Sequence, residues 1–282
     1  MALERPRPAA PRPGGTQRRA PAPDRRAKRV TRITLAVLGV ITIYGLATMS
    51  SEGVNLLHAG ADTLRNFGVV FFQPRGHRLS VGDALVEIVM TLGLAILTTV
   101  FGAIVALVLG LLGAQNLAPK GLTNLVKGVV ALIRAVPTIL WVLIFAVAAG
   151  LGSTAAVIGL SFHTIGYLTK AYAEIFEDLD RGVIEALMAT GASWWQIVFQ
   201  AVLPSSATYL LSWTFLRFEI NFANAVAMGA AAGAAGIGFD LFMASGFYFD
   251  LREVGLITYF ILATAVILEI TATRIKTRLK EK

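Results

Sequence analysis

The chain alternates long uncharged runs with short polar breaks, and the runs have the length of membrane spans. A hydrocarbon core of about 30 Å takes about 20 apolar residues as a helix. Residues 33–51 carry no charge and predict a first span. Residues 88–119 predict a second, ending near Pro119. Residues 135–169 form an uncharged run broken at Gly150-Leu151-Gly152-Ser153, which predicts two helices joined by a tight hairpin. Positions 135–149 alone are too short, so the third span is expected to start near Leu122 and to include Arg134. The fourth fits 154–175, the fifth 204–227 and the sixth 254–273. The expected fold is an all-α, polytopic membrane protein of about six transmembrane helices. A polar, amphipathic segment, 177–203, separates spans four and five. Before the second span, Leu56, Leu57, Leu64, Phe67, Val70 and Phe71 recur at near-helical spacing. They predict either a helix along the membrane surface or a segment capping the bundle.

Composition agrees with the pattern. The 282 residues are 56% hydrophobic and 15% charged, with a mean hydropathy of +0.69. Soluble domains carry roughly 25% charged residues. A soluble enzyme, a wholly disordered chain and a collagen-like fibre are therefore excluded. There is no cysteine, so disulfides, thiolate metal sites and cysteine nucleophiles are excluded as well. No HExxH, GxSxG or Gly-Lys pair occurs. No catalytic or metal residue and no nucleotide site of its own is expected.

The net charge of +8 is concentrated at the ends. Residues 1–32 hold ten Lys/Arg and two acids, residues 274–282 five and one, and residues 33–273 ten and fourteen. Such a distribution does not point to nucleic acid. The proline-rich stretch 1–32 is expected to be a disordered basic tail, 33–273 the membrane domain and 274–282 a short basic tail. An even number of spans with basic ends places both termini in the cytoplasm.

Charge inside a span is costly, so intramembrane polar residues should face the bundle interior or a water-filled path. His163, Tyr167, Lys170 and Glu174 share one face of the fourth span. Arg217, Asn221 and Asn224 share one face of the fifth. These stripes line a substrate path, with Arg217 and Lys170 attracting an anion, or they tie helices together, with Arg217 bonded to a carboxylate such as Glu174. Arg134, near the cytoplasmic end of the third span and Pro137, reads as an anchor rather than a substrate contact. Gly229, Gly233, Gly236 and Gly238 read as a gate segment over the outer mouth or as close helix packing.

The strongest local signal is Glu185-Ala186-Leu187-Met188-Ala189-Thr190-Gly191, followed by Leu203-Pro204. A short helix, a glycine turn and a second amphipathic helix would project from the membrane, with Pro204 restarting the chain as the fifth span. This pattern resembles the EAA loop of ABC-importer permeases, with Leu187 and Ala201 at positions where Ala and Ile are usual. Arg134-Ala135-Val136-Pro137, Gly150-Leu151-Gly152, His163-Thr164-Ile165-Gly166, Arg217-Phe218-Glu219-Ile220-Asn221 and Gly236-Ile237-Gly238 follow in the order of the phosphonate/phosphite/phosphate permease branch, over roughly 83–273. The resemblance implies a homodimeric permease of the bacterial inner membrane. Its partners would be membrane lipid, cytoplasmic ATPase subunits that carry ATP and magnesium, and an extracytoplasmic substrate-binding protein. Glu185, Ala186, Gly191, Leu203 and Pro204 would then belong to the ATPase-coupling segment.

Overall fold

The computed structural model describes residues 25–48 and 55–280. Positions 1–24 of the expected tail, 49–54 between the first two helices and the last two residues lie outside the described residues. The chain divides into two units, Met1–Ala59 and Gly60–Lys282. In the first, α1 (Arg25–Thr48) begins ahead of the expected Ile33. All that follows concerns the second, apart from the first residues of α2 (Leu56–Phe72).

Among the described residues, three helices are long and apolar enough to cross a membrane alone, or up to five spans if each of two bent pairs counts as one, against the six expected. Besides α1 they are α3 (Val81–Gly113) and α11 (Leu251–Lys280). The N-cap Ser80 and Asp83 cap each other's backbone, so α3 starts seven residues before the uncharged run does. α11 continues through residues 274–280, which were expected as a tail. The second half of α2 is fastened to α11, because the Tyr259 hydroxyl donates to the Phe71 carbonyl at 2.6 Å.

The third span departs from expectation. It is two helices, α4 (Lys120–Ala135) and α5 (Thr138–Ala149), meeting at 87°. Pro137 has no N–H to give, and its ring excludes the helical region at Val136, which is extended (φ −85°, ψ 124°). Trp141 Nε1 donates to the Ile133 carbonyl at 3.1 Å and so pairs an acceptor near the break.

α6 (Ser153–Glu177) is the central helix, packed by α3, α4, α5 and α9. At 25 residues it is about 38 Å long. Beyond it lie α7 (Arg181–Ala189) and α8 (Trp194–Ile197). Here the second departure occurs. Pro204 does not restart the chain, because α8 runs through a π-helical turn (Val198–Val202) directly into α9 (Leu203–Ala232). The widened turn, in which Leu203 N–H bonds to the Val198 carbonyl, accommodates a proline that cannot donate. α9 folds back by 61° into α10 (Ile237–Phe242) and a second π-helical turn (Met243–Phe247). Leu168, Tyr172, Phe176, Ile184, Ile197 and Val202 form the core at the α7–α8 end. Ala84, Ile88, Phe222, Ile237 and Ile257 form it at the α10 end.

Candidate functional site

The polar centre joins α3, α6 and α9. Arg217 is 2% exposed and Asn221 wholly buried. Arg217 Nε donates to Thr164 Oγ1 at 3.2 Å. Thr164 Oγ1 lies 2.9 Å from the Leu160 carbonyl and 3.1 Å from Asn221 Oδ1. Asn221 Nδ2 donates to Thr99 Oγ1 at 2.9 Å, and Thr99 donates to the Ala95 carbonyl at 2.6 Å. Each helix therefore contributes a side chain to one connected lattice, which is how buried polar groups avoid an uncompensated desolvation cost.

Arg217 is not fully used by this lattice. Its Nη2 is buried without a hydrogen-bond partner, and none of the ion pairs among the described residues includes it. Its guanidinium lies 5.1 Å from the centre of the Tyr167 ring, which leans on Trp213 at 5.9 Å. Glu174, the carboxylate considered for it, pairs instead with Lys170 at 3.5 Å, and both side chains are more than half exposed. The fourth-span stripe is thus split between two surroundings. Tyr167 faces Arg217, whereas Lys170 and Glu174 line a cavity of about 290 Å³ between α4 and α6, together with Lys127, Arg134 and Glu177. Lys127 Nζ closes on Glu177 Oε1 at 2.9 Å. His163 is half-buried, its Nδ1 has no hydrogen-bond partner, and it lies within electrostatic range of both Arg217 and Arg134. Asn224 is half-exposed, one turn beyond the lattice.

Arg134 stands where the sequence did not place it. It packs against Gly166, where an added Cβ would come within 2.9 Å of Arg134 Cγ. That is the middle of α6, not its end. The break at Pro137 was the available signal: a helix that turns by a right angle there cannot carry Arg134 at the end of a straight span.

The four glycines form a tight return. Gly233 ends α9 in the left-handed region (φ 60°). Gly236 N–H is accepted by Glu87 Oε2 at 2.8 Å and Ile237 N–H by Thr91 Oγ1 at 3.0 Å, so α3 side chains hold the start of α10. Gly238 lies against the Val226 backbone so closely that a Cβ would strike the Val226 carbonyl, and Gly229 faces the same crossing.

At the other end, α7 is N-capped by Asp180, whose carboxylate accepts Gly182 N–H at 2.8 Å. Gly191, at φ +83°, closes α7: its N–H meets the Met188 carbonyl at 3.0 Å and Ala192 N–H meets Leu187 at 3.2 Å. This is the doubly bonded glycine cap. Ser193 and Gln196 cap α8. Trp194 points inward, donating from Nε1 to the Leu117 carbonyl at 2.8 Å, whereas Trp195 is 62% exposed and stacks on Phe199. Glu185, Ala186 and Pro204 are exposed, and Leu203 is half-buried.

A clasp that sequence patterns did not reveal ties 77–79 to the start of α11. Glu253 Oε1 accepts Arg78 N–H and Leu79 N–H at 2.9 and 2.8 Å. Arg78 lies 4.0 Å above the Tyr248 ring. His77 Nδ1 meets Asp250 Oδ2 at 2.6 Å, and this hydrogen bond holds the Asp250 carboxyl below the usual carboxylate range. Among the described residues no three metal-ligating side chains converge.

Residues 106–281 match the family model described as the binding-protein-dependent transport system inner membrane component. The chain is 30% identical over 186 residues to the phosphate-import permease protein PhnE of Mycolicibacterium smegmatis, covering 65% of this chain and 35% of that one. It is 33% identical over 180 residues to the phosphite transport system permease protein PtxC of Stutzerimonas stutzeri, covering 64% and 65%. The match thus spans about a third of the first relative and just under two thirds of the second. An inward-facing structure of the methionine ABC transporter MetNI superposes with a TM-score of 0.64 at 21% identity, over 71% of this chain and 99% of that one. At that identity the likeness concerns the fold.

Proposed function

The chain belongs to the binding-protein-dependent transport system inner membrane components, and from that premise we propose that it is the permease subunit of an ATP-driven ABC importer for phosphonate-, phosphite- or phosphate-type oxyanions. Two observations support the cargo class, and the first carries it. Relatives named for phosphate and phosphite transport share 30–33% of their residues with this chain, and its polar centre holds a buried guanidinium with an unused donor. Such a group favours an oxyanion, to which the unused Nη2 can add a charge-assisted hydrogen bond.

In this reading two copies of the chain pair, and each binds a cytoplasmic ATPase subunit through α7 and α8. ATP and magnesium sit on the ATPase, and a substrate-binding protein delivers the anion from outside. Both termini are cytoplasmic. The continuity of α8 with α9 supplies the linkage. Arg217 is fourteen residues beyond Leu203 on one helix, about 21 Å along a stiff rod. A tilt imposed on α8 therefore moves Arg217 and Asn221 and can exchange outward-open for inward-open states.

The test is ATP hydrolysis by the reconstituted complex, with the binding protein loaded in turn with methylphosphonate, phosphite, phosphate or methionine. Stimulation by one of the oxyanions is expected. Stimulation by methionine alone would replace the cargo assignment, and no ATPase association at all would overturn the importer reading.

A further inference from the structure

Arg134 is an exposed guanidinium packed against the middle of α6; with α6 read as a span, that is near mid-membrane. Gly166, against which it packs, is eleven residues from the Glu177 end of α6, about 17 Å along the helix axis. A cation left in hydrocarbon near mid-depth is costly. No carboxylate forms an ion pair with Arg134 among the described residues. Facing water or an anion would spare Arg134 that cost. The cavity it lines continues past Lys170 and Glu174 to the Lys127–Glu177 pair at the end of α6, so its mostly apolar wall carries a row of charged side chains that water can reach. Arg134 packs on Gly166 and Arg217 bonds to Thr164, two residues apart on α6; His163, beside Thr164, has an unpartnered Nδ1, and Arg217 an unpartnered Nη2.

We propose that Arg134 is the second cationic arm of an oxyanion station at mid-depth, sharing the anion with Arg217 across His163 and releasing it into the α4–α6 cavity. The ligand is a small tetrahedral oxyanion, and the assignment rests on the importer reading above. Lys170 and Lys127 are each matched by a glutamate, so the cavity below the station is balanced in charge and does not hold an anion tightly. The right-angle break at Pro137 has a purpose in this arrangement, because it brings the C-terminal turn of α4 to the centre of α6.

The absence of cysteine makes the test direct. The full chain carrying Arg134→Cys, in lipid nanodiscs, is treated with a membrane-impermeant sulfonated methanethiosulfonate. Leu132→Cys, at an exposed apolar position on the same helix, is the control. Arg134→Cys should react and Leu132→Cys far more slowly, and in a chain that keeps Arg134 millimolar methylphosphonate or phosphate should slow the labelling of Ala131→Cys, in the same cavity wall, several-fold. An Arg134→Cys thiol no more reactive than the control, or an Ala131→Cys thiol that neither anion protects, overturns the station. Uptake by the assembled transporter gives a second readout. Arg134→Gln should raise the KM about tenfold, as expected for one charge-assisted hydrogen bond, and Arg134→Lys should retain most of the uptake. Unchanged uptake by Arg134→Gln defeats the role of Arg134 alone. An unmodified transporter that imports no oxyanion defeats the underlying function instead.

Discussion

Asn221 donates from Nδ2 to Thr99 Oγ1 at 2.9 Å, which ties the middle of α9 to the middle of α3 through two side chains that have no access to water. Asn221 Oδ1 is engaged as well, with Thr164 on α6. Replacing it with Leu would remove both bonds and leave the hydroxyls of Thr99 and Thr164 only their carbonyls one turn back. Hydrogen bonds between helices in a membrane are worth about 1–2 kcal/mol in model systems. Asn221→Leu should therefore lower stability by roughly 1–2 kcal/mol, read as a lower midpoint of thermal unfolding in detergent. Asn224→Leu, at the half-exposed position one turn on, should leave that midpoint nearly unchanged.

The crossing of α9 and α10 gives a sharper contrast. Gly238 has no room for a Cβ, because the obstacle is the Val226 backbone and not a side chain that could rotate away. Gly246, in the same return, would place a Cβ 3.6 Å from the Phe242 ring, an ordinary contact. Gly238→Ala should force the helices apart, at a cost of about 1–3 kcal/mol or more, and Gly246→Ala should be tolerated. Thermal unfolding of the two variants side by side decides this, and equal midpoints would contradict the close approach.

Much of this arrangement was legible in the sequence, for reasons that also explain the failures. Hydrophobic run length found α1, α3 and α11 as helices that can cross a membrane alone, because lipid imposes that length on every crossing helix. The polar stripe Arg217–Asn221 was legible because buried charge is rare and helical period is fixed. The lattice also needed Thr99 and Thr164, however, and threonines in an apolar run carry no signal until a partner faces them. Pro137 and Pro204 show the limit of local rules. Both forbid a normal helical hydrogen bond, yet the first breaks its helix at a right angle and the second is absorbed by a π-helical turn. The difference lies in tertiary context. Trp141 braces the corner at Pro137, while Ile197, Val198 and Val202 hold the helix preceding Pro204 in the core. The 77–79 clasp was invisible because its partners lie more than 170 residues apart in sequence.

That clasp should respond to acid. Hydrogen bonding from His77 lowers the Asp250 pKa in the folded protein. A carboxyl lowered on folding contributes stability that is complete above its unfolded value, about 3.9, and is lost as pH falls through the lower folded value. The unmodified protein should therefore unfold at a higher temperature than Asp250→Asn at neutral pH, and the gap should narrow only below about pH 4. A gap that changes between about pH 8 and 6 would instead place the controlling proton on a group titrating like an ordinary histidine.

Gly191 isolates backbone conformation from packing. It holds φ +83°, and a Cβ there would meet nothing within 4 Å. Any cost of substitution is therefore conformational, about 1–2 kcal/mol for an ordinary L-residue in the left-handed region, and less for Asn, which enters it more readily. Gly191→Ala should loosen the turn between α7 and α8 without disturbing the core made by Ile184 and Ile197. If this turn fixes the angle at which α7 and α8 meet the ATPase, Gly191→Ala should reduce transport in the assembled complex while the thermal midpoint falls only slightly. Gly191→Asn should restore part of the lost transport. Full transport by Gly191→Ala would mean that the turn geometry is not what the ATPase reads.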